Sequence, residues 1–168
     1  KLKIPGFSDY LHPYDENHII GIGKEVQEGD FPLMQGVKLG LFDVSDPSNP
    51  KEIAKYEIGT SGTDSEALRE HKAFLFRKEK NLLVIPILLN EEILAQFGIN
   101  YIWQGAYVFD VSLDGFKLKG KITHVSDEDK PEYYYYSPYS VKRSLYMDDI
   151  LYTISARMIK ANRLSDLG

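Results

Sequence analysis

The chain has 168 residues, 43% hydrophobic and 27% charged, with a formal net charge of −5 and no cysteine. This is an ordinary globular composition, long enough for a sizeable core. The missing thiols exclude disulfides, thiolate zinc sites and cysteine nucleophiles, and leave the compartment open. The negative charge, with no Lys/Arg cluster, argues against a nucleic-acid partner.

No apolar run approaches the ~18 to 20 residues of a membrane helix. Lys1-Leu2-Lys3-Ile4-Pro5-Gly6 is too short and too quickly broken for a signal peptide. The chain therefore reads as soluble, with any membrane anchoring left to a segment outside it.

In chain order, residues 1–6 read as a lone strand. Residues 9–13 and 17–22 follow as a hairpin across a short polar turn, then strands at 36–44 and 52–58 joined through Asp46-Pro47-Ser48-Asn49-Pro50. The pattern returns at 72–77, 81–87, 105–111 and 116–123, and Phe42-Asp43-Val44-Ser45 reappears as Phe109-Asp110-Val111-Ser112. A third copy has strands at 141–146, 149–154 and 158–164, with no fourth.

Four-stranded antiparallel units in series are the sequence mark of propeller blades. The expected fold is therefore all-β, a β-propeller fragment and a single segment over 1–168. Residues 1–6 are the outer strand of a preceding blade, 7–58 and 71–124 are complete blades, and 138–166 is a partial one. Propellers close with about four to eight blades, so the chain needs the remaining blades of a longer protein or a second copy of itself. The fragment reading is preferred, because bare sheet edges invite aggregation.

Helix signals are confined to connectors. Thr63-Asp64-Ser65-Glu66 has capping-box spacing before Ala67-Leu68, and Asn90 is placed to cap a turn or two through Phe97, ended by Gly98. The connectors at 24–35, 59–70, 89–103 and 125–137 emerge on one face, where binding residues usually sit. They hold nearly half of the 25 acids, among them Glu25, Asp64, Glu66, Glu70, Glu91 and Asp127, against Lys24, Arg69 and Lys130.

An acidic face is a solvated surface in the plain reading. In the functional one it attracts a basic partner or a divalent cation, although no metal-loop spacing is present. His18 alternates with Ile20 and Ile22 as a packing residue, and His12 beside Pro13 reads as surface. Glu66, Glu70 and His71 are the first candidates for a ligand or metal, since His71 opens an innermost strand. Tyr134 and Tyr136, within Tyr133-Tyr134-Tyr135-Tyr136, offer flat faces for a peptide or glycan, and Trp103 and Phe97 would extend that surface. The plain alternative packs these rings between blades.

No G-x-S-x-G elbow, H-E-x-x-H helix or P-loop is present. The run from Gly36 to Glu52, Ser65-Glu66-Ala67-Leu68 leading to His71-Lys72-Ala73-Phe74-Leu75, and Lys78-Glu79-Lys80-Asn81-Leu82-Leu83-Val84-Ile85-Pro86 resemble a family of predicted secreted β-propeller-domain proteins of archaea and bacteria. Arg143-Ser144-Leu145-Tyr146 and Leu151-Tyr152-Thr153-Ile154-Ser155 are similar to its last blade. The resemblance implies the C-terminal part of a longer propeller, exported or anchored outside the membrane, and supplies no catalytic residue. The expected function is a noncatalytic binding or scaffolding module for a protein, peptide or glycan. The alternative is a hydrolase or metal-assisted enzyme using acids and His71 near a central channel.

Overall fold

The computed structural model describes residues 5–27, 33–91, 101–126, 128, 134 and 137–168. The first sheet runs β1 (Phe7–Pro13), β2 (His18–Gln27), β3 (Leu33–Asp43) and β4 (Lys51–Ile58), hydrogen-bonded in that order. The second repeats it with β5 (Leu75–Arg77), β6 (Leu82–Asn90), β7 (Tyr101–Ser112) and β8 (Gly115–Ile122). The third contains β9 (Arg143–Met147), β10 (Ile150–Ile154) and β11 (Ile159–Arg163). Every neighbouring pair is antiparallel. The chain is all-β, a β-propeller fragment of four-stranded blades.

One backbone bond shows that the three sheets are copies. Val44 N–H donates to Asn17 O, Val111 N–H to Asn81 O and Leu164 N–H to Asp149 O, each at 2.8 Å. In every blade it ties the end of the third strand to the start of the second. The hairpin between the first two strands needs a left-handed residue in the later blades, supplied by Asn81 (φ 51°) and Asp148 (φ 50°), residue types that tolerate it.

Blades pack face to face. Ile20, Ile22, Leu39 and Leu41 of the first blade meet Leu83, Ile85, Ile87 and Phe109 of the second. The opposite face of the second blade, Val84, Val108 and Ile122, meets Val141, Leu151 and Leu164 of the third. Both faces of β6 are thus buried, which is why Leu82-Leu83-Val84-Ile85 reads as a continuous apolar run rather than an alternating one.

An aromatic ladder joins the first strands of the first two blades. Tyr10, His12 and Tyr14 share one face, and so do Phe74, Phe76 and Lys78. Ring centroids lie 5.3 Å apart for Tyr10–Phe74, 5.4 Å for His12–Phe76 and 5.6 Å for Tyr14–Phe76, spacings typical of favourable tilted contacts. Lys78 Nζ caps the ladder 4.7 Å from the Tyr14 ring and 3.0 Å from Asp15. On the other side of the same turn, Lys80 reaches Asp149 of the third blade at 3.1 Å.

His12 is therefore not a surface residue, as its place beside Pro13 implied. It is half-buried between blades, and burial lowers its pKa. The connector caps differ too. Ser65, not Thr63, caps a single 3-10 turn (Glu66–Leu68), while the Thr63 hydroxyl donates to Asn90 O at 2.8 Å. Asn90 ends β6, fully buried, with its amide donating to Ser61 O. The leading strand at 1–4 and the helical turn expected over 92–97 lie outside the described residues.

Candidate functional site

The connector from the first blade to the second, residues 59–74, is tied to all three blades. Asp64 forms an antiparallel bridge with Leu88 of β6 (N···O 2.9 and 2.8 Å), and Ser65 Oγ donates to Pro86 O at 2.6 Å. Lys24, from β2 of the first blade, donates its ammonium to Thr63 O, and burial lowers its pKa. Lys142 and Arg143 of the third blade reach Glu66 and Glu70 at 3.2 and 3.6 Å.

These contacts frame a cleft of about 360 Å³ between the second and third blades. Asp64, Glu66 and Arg69 form one wall, Pro86 to Leu88 and Gln104 the floor, and Tyr134 with Ser140 to Lys142 the other wall. Arg69 holds Asp64 through two bonds, at 3.0 and 2.7 Å. Partial burial favours the neutral form of Asp64, yet the Arg69 guanidinium and the Ser65 N–H prevail and hold its carboxyl below the usual carboxylate range.

Gln104 closes the floor in the manner of a strand neighbour. Its amide donates to Val141 O at 2.9 Å and its carbonyl accepts from Val141 N–H at 2.8 Å, with the side chain almost wholly buried. Replacing it by Ala orphans two buried backbone groups, so Gln104→Ala is expected to cost about 1–3 kcal/mol in urea unfolding. Gln104→Glu sets a buried carboxylate against the Val141 carbonyl and is expected to cost at least as much.

Of the residues singled out from the sequence, Glu66 and Tyr134 line this cleft. Glu70 and His71 lie beyond it. Glu70 caps the next 3-10 turn (His71–Ala73) by accepting from Lys72 N–H at 3.1 Å, and that bond lowers its pKa against the opposing effect of burial, with Arg143 adding to the lowering. His71 is 67% exposed, its Nδ1 3.6 Å from Glu70. Trp103 lies apart from these. Its ring packs edge-on to Tyr107 at 5.4 Å in the core between the first two blades, with the Lys121 ammonium over both rings.

Tyr136 lies outside the described residues, as do Tyr133, Tyr135, Phe97, Lys130 and the loop acids Glu28, Asp30, Glu92, Asp127, Asp129 and Glu132. Among the described residues, no three or more His, Asp or Glu side chains are placed to hold a metal ion.

The acids of the connectors meet cations that arrive from other parts of the chain. Glu25 meets Lys38 at 3.2 Å, Glu66 meets Lys142 and Glu70 meets Arg143. Gln104 carried a faint signal, a lone amide inside an apolar strand. His18 sits at the rim, 2.7 Å from Asp15. His124, which no motif marked, is deeply buried between blades.

Face-packed four-stranded sheets repeated in series, with a cleft where their connectors meet, define a propeller segment. The family model described as a beta propeller domain matches residues 1–167, and the chain belongs to that family. It is 33% identical over 159 residues to an uncharacterized protein of Archaeoglobus fulgidus, covering 95% of this chain and 19% of the relative. It is also 33% identical over 155 residues to an uncharacterized protein of Methanocaldococcus jannaschii, covering 92% and 19%. The chain thus spans about a fifth of the length of these relatives. No solved structure matches it.

Proposed function

We propose that the chain is a noncatalytic binding and scaffolding segment of a larger extracytoplasmic propeller, and that the cleft between its second and third blades takes a peptide or protein segment carrying both signs of charge. The observation that carries this reading is the pairing of opposite charges, Arg69 with Asp64 within one wall and Lys142 with Glu66 across the cleft. Arg69 and Lys142 are each more than half exposed beside Asp64 and Glu66, so they can exchange these partners for a ligand's acids and bases. Tyr134 adds an aromatic side chain on the rim.

The same pairing weighs against a hydrolase built on Glu66, Glu70 and His71. Asp64 and Glu70 are held ionised by cations and backbone N–H groups, whereas a general acid needs its proton retained near working pH.

Titration calorimetry with a mixed-charge peptide library tests the proposal. Arg69→Ala and Lys142→Ala should each weaken a binding peptide about tenfold, the loss of one charge-assisted hydrogen bond of roughly 1.5 kcal/mol. No binding at millimolar peptide overturns it, and binding only to neutral oligosaccharides moves the ligand to a glycan. The extracytoplasmic reading rests on the family resemblance, and fractionation of native cells checks it.

A further inference from the structure

His124 lies two residues past the end of β8, the outer strand of the second blade, and its ring is buried against the third. Nε2 lies 2.7 Å from Thr153 Oγ1 and Nδ1 lies 2.9 Å from Ser155 Oγ. Thr153 is fully buried on β10, and Ser155 opens the turn to β11, where its hydroxyl also accepts from Met158 N–H at 3.1 Å. Each hydroxyl can donate or accept, so the cradle satisfies a neutral imidazole, and what disfavours a charged ring is its burial and the neighbouring ammonium rather than a missing acceptor.

Among the described residues, the charged group that acts on the ring is a cation. Lys160 on β11 donates to Thr123 O at 3.4 Å, beside the ring, and the turn between β10 and β11 carries Arg157. On β8 the nearest charged residue is Lys121, whose ammonium lies over Tyr107 and Trp103 on the face toward the first blade. Among the described residues, histidine–carboxylate pairs are made by His18 and His71, and none by His124.

We propose that His124 is an acid-sensitive latch between the second and third blades, locked while its ring is neutral and released when the ring gains a proton beside Lys160. Burial first, and Lys160 second, lower its pKa below the ordinary histidine value of 6.5. A folded-state pKa below the unfolded one means that the unfolded chain takes up the proton first. The latch therefore contributes fully above about pH 6.5, and its contribution is lost as pH falls from there toward the folded-state value.

Release has a consequence for the cleft. Ser140, Val141 and Lys142 form one of its walls and lie on the stretch between His124 and β9. Loss of ligand on acidification would follow from this, a step that rests on the binding reading. The latch itself does not.

The test uses no ligand. Amide hydrogen exchange, corrected for intrinsic rates, is followed from pH 7.5 to 5 on β9 to β11, with β6 as internal reference. Protection of the third blade is expected to fall by up to ~tenfold per pH unit below 6.5, the slope for uptake of one proton, while β6 changes less. His124→Gln should abolish this difference, and His12→Gln should leave it intact. Should His124→Gln fail to fold, the imidazole resonances of the native chain and of Lys160→Gln serve instead, and the His124 midpoint should lie below 6.5 and move up in the variant. Equal pH dependence in β6 and the third blade, or a His124 midpoint at or above 6.5, overturns the proposal.

Discussion

Phe109→Ala is expected to destabilise the chain by about 3–5 kcal/mol, whereas Phe42→Ala, at the matching place in the first blade, should cost roughly 1.5–3. Both phenylalanines belong to the repeated Phe-Asp-Val-Ser and hold the same register, yet their surroundings differ. Phe109 is fully buried between two blades, its ring 5.0 Å from Tyr56 of the first blade and 6.1 Å from Tyr107 of its own. Phe42 lies flat on its own sheet. A Cβ added at Gly21 or Gly40 would fall 2.9 or 2.7 Å from its ring, so the two glycines make the bed in which it rests.

Truncating Phe109 opens a cavity that two blades must share, while truncating Phe42 uncovers one. Urea denaturation of the two single variants measures the gap. Equal losses would mean that the face of the first blade bearing Phe42 is as tightly covered as the interior.

Lys38→Met should cost about 3–5 kcal/mol, the loss typical of removing one member of a buried ion cluster. Lys38 Nζ sits 2.9 Å from Glu52 Oε1, 3.2 Å from Glu25 Oε2 and 3.1 Å from Pro5 O, with only 6% of its side chain exposed. Without it, two poorly hydrated carboxylates lose their shared cation, and Glu25 keeps the half-exposed Lys55 at 3.7 Å. Replacing the set together, as Lys38→Met with Glu25→Met and Glu52→Leu, should recover most of the loss. The second blade already carries an apolar residue at one of these places, because Leu118 holds the register place of Glu52, each paired with its Phe. A triple variant as unstable as the single one would show that the charges are not what the site depends on.

The architecture was readable because a blade writes itself twice in the chain. Alternating apolar residues, polar turns and the returning Phe-Asp-Val-Ser locate every strand of the first two sheets within a few residues, and the shortened third copy was visible as a missing fourth run. Local spacing misled where a distant strand supplied the partner. Thr63 looked like a cap because its neighbours fit the pattern, but its hydroxyl is claimed by Asn90, 27 residues away.

The cleft was half legible for the same reason. Glu66 and Tyr134 stood out by residue type and loop position. Lys142, Arg69 and Gln104 acquire meaning only when two blades bring them together, and charge counted loop by loop hides the cations that strands deliver. His124 escaped notice because a single histidine at a strand end announces nothing until Thr153 and Ser155 close on both of its nitrogens.

The middle sheet has its two broad sides covered, and its first turn sends Lys78 one way and Lys80 the other. In an array of this kind stability flows through nearest neighbours. Heat or mechanical tension should therefore strip the outer leaves first, leaving the central one as the last to melt and the natural nucleus from which the array rebuilds.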